Sequence, residues 1–304
     1  MPRRICSAQQ VWARSLEMTL TVTFDVPGSQ SGATRQSAMV ESFSTIADVW
    51  DRLLASQVNV FSDAELAYLN GHPSWRTAKT VLDVGCGNGD YVARLAENFP
   101  EKQFTGIEPS PGLLVRARSR HAGSGVHFSG GTLEQSNTSE VFDFVVLRFV
   151  VQHLTNPEAF FEAIRRVCDL KSVVMIVEPC VERSVAVPAL VRFNELVQSY
   201  EMLCHDKKTS RAAVARDEII SETVSESWCI AGPEIIACSH TRCSWNAAEL
   251  SSLFEGWITT LCDAVGSQSS AAARAEVADW LQNDGRTINI ALKIWLLRPN
   301  CAAQ

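Results

Sequence analysis

Apolar side chains recur along this chain with two different rhythms. From Val40 to Tyr68 they fall three and four residues apart, at Phe43, Ile46, Ala47, Trp50, Leu53 and Leu54, the spacing of one face of an α-helix. Between Thr80 and Val177 they gather into short runs, Val81–Val84, Phe104–Ile107, Val126–Phe128, Phe142–Leu147 and Val173–Val177, separated by amphipathic stretches. Runs of that kind suit strands covered on both faces, so the pattern predicts five parallel strands joined by βαβ crossovers. Ser110 before Pro111 and Asn156 before Pro157 mark two helix starts, each a capping side chain ahead of a proline at the first helical position. Phe160, Ile164 and Val167 then make the stripe that would pack on the sheet.

Beyond Val181 the rhythm is less regular. It predicts helices from about Pro188 to Leu203, Ala247 to Ala264 and Ala271 to Leu281, and a closing strand, Thr287–Leu297, read as an edge strand. Residues 25–38, rich in Gly, Ser and Pro, read as a linker after the strand-like Thr19–Phe24. The expected organisation is a tail and linker over 1–38, a helical cap over 39–76, a ligand-binding core over 77–180, a substrate-side helical region with a sixth strand over 181–286, and a last strand and tail over 287–304.

Composition narrows the function classes. With 46% apolar and 20% charged residues the chain has the balance of a folded globular protein. A formal charge of −7 repels phosphate backbones, which argues against a nucleic-acid partner, and the basic run Arg116, Arg118, Arg120 reads as the solvated end of a helix. No apolar run reaches the length of a membrane span and no secretory leader is evident. Ten cysteines without a C-x-x-C pair read as reduced thiols of a cytoplasmic protein, and Cys238, His240 and Cys243 match no common zinc spacing, so no metal site is expected.

The local chemistry concentrates in Val81-Leu82-Asp83-Val84-Gly85-Cys86-Gly87-Asn88-Gly89-Asp90, a buried strand running into a glycine-rich turn and then a helix. Glycines there allow positive φ and close approach of the main chain to a ligand. Glu108 follows Gly89 by 19 residues at the end of the next strand, where a carboxylate can accept both hydroxyls of a ribose. The spacing is G-x-G-x-G, not the G-x-G-x-x-G of dinucleotide cradles.

These segments, with Gly106-Ile107-Glu108-Pro109-Ser110, Phe142-Asp143-Phe144-Val145-Val146 and Gln152-His153-Leu154, resemble the successive motifs of class I methyltransferases over roughly residues 75–180. The resemblance implies an α/β, Rossmann-like, mostly parallel sheet of seven strands, the last antiparallel, with helices on both faces, an N-terminal helical cap and C-terminal insertions. It also implies S-adenosyl-L-methionine as cofactor, held by Asp83, Gly85, Cys86, Gly87, Glu108 and Pro109. Thr132 stands where many relatives have an acid for the adenine amino group, leaving that contact to a hydroxyl or a carbonyl, and Leu133 would sandwich the ring. Arg148 would reach the cofactor carboxylate or an anionic substrate, or else serve a structural ion pair.

His153 and Glu178, at neighbouring strand ends, are the expected catalytic pair, able to remove or orient an acceptor proton, with packing as the alternative. Tyr200, Trp228 and Trp245 are further pocket candidates, with the core as their ordinary place. The expected partner is a small-molecule acceptor with an O, N, S or C nucleophile, a homodimer being left open. The rival readings are a nicotinamide-dinucleotide oxidoreductase and a cofactor-binding protein without transferase activity.

Overall fold

The computed structural model describes residues 47–136, 138–154, 156–206, 220, 228–241, 247–265 and 267–300, all within the compact unit Gly32–Gln304. Phe43, Ile46, the strand-like 19–24 segment, the Tyr200 side chain, Trp245, the His240 side chain and Cys243 lie outside the described residues.

The chain enters on α1 (Ala47–Gly71) and the short α2 (Pro73–Thr77), then alternates β1 (Thr80–Val84), α3 (Asp90–Asn98), β2 (Gln103–Glu108), α4 (Pro111–Arg120), β3 (Val126–Gly130), β4 (Phe144–Arg148), α5 (Pro157–Arg166) and β5 (Val173–Val187). It continues through α6 (Val191–Asp206), β6 (Trp228–Thr241), α7 (Ala247–Val265), α8 (Ser267–Gln282) and β7 (Thr287–Pro299). The seven strands lie in the order β3-β2-β1-β4-β5-β7-β6. The first five pair in parallel, and β7 runs antiparallel to both β5 and β6. All five predicted runs became those strands, because each is apolar on both faces and the sheet is covered on both.

Side-chain alternation splits the core in two. Val81, Phe144, Val146, Val173, Met175 and Val177 face α1 and α3, while Leu82, Val145, Leu147, Val174 and Ile176 face α5. Asn156 caps α5 as expected, accepting from Ala159 N at 3.1 Å, whereas Ser110 makes no side-chain cap at α4. Leu53 of α1 packs so tightly on Gly256 of α7 that a Cβ there would lie 2.7 Å from Leu53.

One expectation is corrected. The closing strand is not an edge: β7 is sandwiched between β5 and β6, with Ala291 opposite both Cys180 and Ala237, and β6 is the outermost strand among the described residues. Nearly continuous burial along Thr287–Pro299 is what an interior strand requires.

The strand order reverses direction between β1 and β4, the switch point outside whose carboxyl ends open α/β sheets hold ligands. The glycine turn and the loop after β4 flank it.

Candidate functional site

The turn after β1 is built from local backbone need. Gly85, Gly87 and Gly89 take φ of +76°, +57° and +81°, a region that side chains with a Cβ resist. Gly85 N and Cys86 N donate to Ile107 O, which locks the turn to β2. The space at each glycine is also occupied: a Cβ would meet Val150 at 2.8 Å from Gly85, Leu54 at 2.6 Å from Gly87 and Phe128 at 2.9 Å from Gly89. The turn therefore touches the loop after β4, α1 and β3 at once.

Glu108 ends β2 beneath this turn and is buried. Its Oε2 accepts from Gly87 N at 2.8 Å and its Oε1 from Ser110 N at 2.7 Å. A carboxylate offers about four acceptor positions, so this arrangement fixes the group and leaves one position on each oxygen for a further donor. Burial raises its pKa to about 7 against the opposing pull of those two amides. Asp83, buried on β1, is likewise pushed up to about 7, chiefly by burial and next by the neighbouring charges, of which Arg148 opposes the rise and Glu108 and Glu65 reinforce it. Pro109, half-buried, links Glu108 to Ser110. Cys86 packs on β2, its Sγ 2.8 Å from where a Cβ on Gly106 would lie, and burial drives its thiol pKa up.

Arg148 is buried and paired within the protein. Its Nε donates to Glu65 Oε1 at 2.8 Å and its NH2 group to Gln57 O at 3.1 Å, and the guanidinium carbon lies 4.5 Å from the ring centres of both Tyr91 and Phe149. Of the two roles weighed for Arg148, the structure shows the ion pair. Leu133 is corrected. Its side chain is 1% exposed within the core facing α5, so it does not stand free to sandwich a ring. Thr132, half-buried, precedes the 3-10 turn Leu133–Gln135.

His153 and Glu178, the expected catalytic pair, both meet the loop after β4. His153 ends the 3-10 turn Val151–His153 and meets Trp50 of α1 edge to face, ring centres 6.2 Å apart. Glu178, fully buried on β5, accepts from Val151 N at 2.9 Å. By strand alternation it shares the face of Val174 and Ile176, away from α1. Trp228 is buried in the same core as those residues. Among the described residues no group of three potential ligands could hold a metal ion, and no helix is long and apolar enough to cross a membrane.

A second charged neighbourhood lies outside the turn and was not foreseen. Asn88 donates to Asp51 Oδ1 and Asp90 Oδ2, both at 2.8 Å. Arg116 reaches Asp48 and Asp51, Arg120 reaches Asp51 at 2.7 Å and Asp90 at 3.0 Å, and His121 reaches Asp90 at 2.8 Å. Arg118 instead donates to Phe128 O at 2.9 Å. The basic run is thus a tether from α4 to α1, correcting its reading as a solvated face. Asp48 and Asp51, three residues apart on one α1 face just before Leu53 and Leu54, were the available signal. Glu65 was signalled by Gln57, Phe61 and Glu65 recurring every four residues, which sets an acid on a buried stripe.

Residues 81–170 match a family described as "Methyltransferase domain". The chain is 30% identical to a malonyl-[acyl-carrier protein] O-methyltransferase of Hahella chejuensis over 141 residues, 45% of this chain and 48% of that protein. A trans-aconitate 2-methyltransferase of Acidovorax sp. is 39% identical over 59 residues, 19% of this chain and 22% of that protein. The chain thus spans no more than about half the length of these curated relatives. A solved plantazolicin methyltransferase, BpumL, in complex with a triazolic desmethylPZN analog and SAH, has a TM-score of 0.42 and 14% identity, covering 88% of this chain and 91% of its own.

Proposed function

We propose that this chain, whose residues 81–170 match a methyltransferase-domain family, is a class I S-adenosylmethionine-dependent methyltransferase that moves a methyl group from S-adenosylmethionine to an O, N, S or C nucleophile of a small molecule. The observation that carries this is Glu108, a buried carboxylate held by Gly87 N and Ser110 N with acceptor capacity to spare at the mouth of the strand switch point. That is the chemistry a ribose diol requires, and the positive-φ turn Gly85–Gly89 lets the backbone approach the rest of the molecule.

When bound, the cofactor supplies a methyl group already activated at its sulfonium. The protein's share is alignment and exclusion of water, for which proximity contributes on the order of 7–11 kcal/mol. Glu108 would hold the ribose, the turn from Asp83 to Gly87 with Pro109 would shape the cradle, and Thr132 would serve the adenine. Leu54 of α1 covers Gly87, so α1 forms one wall of the chamber. His153, on the loop that also closes on Gly85 through Val150, is the residue assigned to orient or accept an acceptor proton, a role typically worth about a hundredfold to ten-thousandfold. The names of the relatives put malonyl carrier thioesters and trans-aconitate first among acceptors to assay.

Calorimetry tests the reading. S-adenosylmethionine and its demethylated product, S-adenosylhomocysteine, bind with micromolar or better affinity, and Glu108→Ala weakens binding by about 1.5–3 kcal/mol, the range for hydrogen bonds to a charged group. Tight binding of a nicotinamide dinucleotide with none of these ligands would overturn it.

A further inference from the structure

The loop after β4 carries three unusual features within five residues. Phe149 takes φ of +59°, the only positive φ outside glycine among the described residues, and its amide is committed to Val177 O at 2.8 Å. An aromatic residue resists that conformation, so surrounding contacts must impose it. Val150 then inserts into the space above Gly85, and His153 reaches Trp50 of α1. Between them Val151 N donates to Glu178 Oε1 at 2.9 Å.

Glu178 is 0% exposed. A carboxylate so buried is costly to keep unless its hydrogen bonds determine something that an apolar side chain would not. What it determines is visible in the register. Glu178 is the residue after Val177, and Val177 pairs with Arg148, so consecutive residues of β5 hold consecutive parts of the loop: Val177 O takes Phe149 N and Glu178 Oε1 takes Val151 N. Val150 is trapped between these two anchors and pressed on the glycine turn, and the 3-10 turn that presents His153 begins at the second anchor.

We propose that Glu178 is a positioning residue that acts through the Val151 amide, setting both the closure of Val150 on the glycine turn and the direction of His153, and that it takes no proton from the acceptor. The inference rests on the proposed methyltransferase reading only in giving His153 an acceptor to face. It distinguishes two properties of the carboxylate. Positioning needs an oxygen that accepts from Val151 N, which a glutamine also provides; a base needs the charge, which a glutamine lacks.

The test compares the full chain with Glu178→Gln and Glu178→Ala, by calorimetry with S-adenosylhomocysteine and by NMR of the His153 imidazole, assigned with His153→Gln, together with hydrogen exchange at Val151 N. Expected are a protected Val151 amide and unchanged His153 resonances in Glu178→Gln, with affinity within about twofold of the parent. Glu178→Ala, folded by circular dichroism, should displace the His153 resonances and weaken affinity at least about fivefold. The proposal is overturned if Glu178→Ala leaves both readouts unchanged, or if Glu178→Gln is as impaired as Glu178→Ala. Should the alanine variant not fold, the glutamine variant decides alone: loss of Val151 protection or a displaced imidazole there overturns the proposal. A parent protein that fails to bind S-adenosylhomocysteine overturns the functional reading instead, and the Val151 and His153 signals still judge the role of Glu178.

Discussion

The glycine turn has a charged neighbourhood on each side, and the two obey different physics. On the inner side, Asp83, Glu108, Glu65 and Arg148 are all buried, and two of the four, Asp83 and Glu108, are pushed by burial to pKa values of about 7. On the outer side, Arg116 and Arg120, with side chains 33% and 40% exposed, close over Asp51, which is buried, and Asp90, which is partly so. Both neighbourhoods hold α1, the inner through Glu65 and the outer through Asp48 and Asp51. The inner one fixes shape and sets protonation, at the cost of desolvation; the outer one is adjustable, because water and salt reach it.

The largest expected difference between the two follows from removing one partner of the buried pair. Glu65→Ala leaves the Arg148 guanidinium without its carboxylate between the rings of Tyr91 and Phe149, and a buried charge deprived of its partner costs about 3–5 kcal/mol. Urea unfolding should register that loss. A double replacement, Glu65→Leu with Arg148→Met, should recover most of it, since an apolar pair of similar volume avoids desolvation. A cost below about 1 kcal/mol for Glu65→Ala would place the anchoring of α1 elsewhere.

Protonation gives the next contrast. A carboxylate whose folded pKa is raised binds more protons in the folded state, so its contribution favours folding below its ordinary value and is lost as pH rises toward the folded value. For Glu108 and Asp83 that window runs from about 4 to about 7, with the ordinary values at 4.5 and 3.8. Asp51 has the opposite sign. Burial alone would raise it, but hydrogen bonds from Arg120 and Asn88 and the charges of Arg120 and Arg116 hold it below 3.8, so its contribution is present at neutral pH and disappears only in acid. Because ribose hydroxyls donate to the ionised carboxylate, S-adenosylhomocysteine should bind about tenfold more tightly at pH 8 than at pH 6, with proton release seen as a dependence on buffer ionisation enthalpy. Glu108→Gln should flatten that profile; a profile unaltered by this substitution would assign the titration to another group.

How much of this was legible beforehand divides along the same line. The five parallel strands, the glycine turn and the position of Glu108 depend on runs of a few residues, and local rules suffice for them. The seven-stranded arrangement with an antiparallel last strand came from the resemblance to class I methyltransferases, and the described strands agree with it. What escaped is non-local. Whether Thr287–Pro299 lies inside or at the edge depends on β6 pairing beyond it, and nothing within the segment says so. Arg148 plainly needed a partner, but Glu65 is 83 residues away and only the fold brings them together. Glu178 was read as half of a catalytic pair from neighbouring strand ends alone; its bond from Val151 N requires the strand's register and the course of the loop after β4. Leu133 was misassigned for a related reason, since a residue just past a strand can face the crevice or the core, and here it closes the core facing α5.

The smallest effect belongs to the rim, and it is the one that salt can reveal. Asp51→Asn keeps an acceptor for Asn88 but removes the charge that Arg116 and Arg120 share. Partly exposed ion pairs contribute about 0.2–1 kcal/mol each, and this one joins a network, so a loss of about 1 kcal/mol is expected in dilute buffer. At about 1 M salt the Debye length shrinks to about 3 Å, and the difference between Asp51→Asn and the parent should fall to a few tenths of a kcal/mol. Glu65→Ala, measured alongside, should keep nearly its whole cost at that salt concentration, because no ion enters the space between Tyr91 and Phe149. Equal salt sensitivity in the two variants would mean that water already reaches Arg148, and the division between an inner and an outer neighbourhood would fail. Insensitivity in both would instead make Asp51 a hydrogen-bonding group whose charge hardly matters, with Asn88, next to the glycine turn, as its one consequential partner.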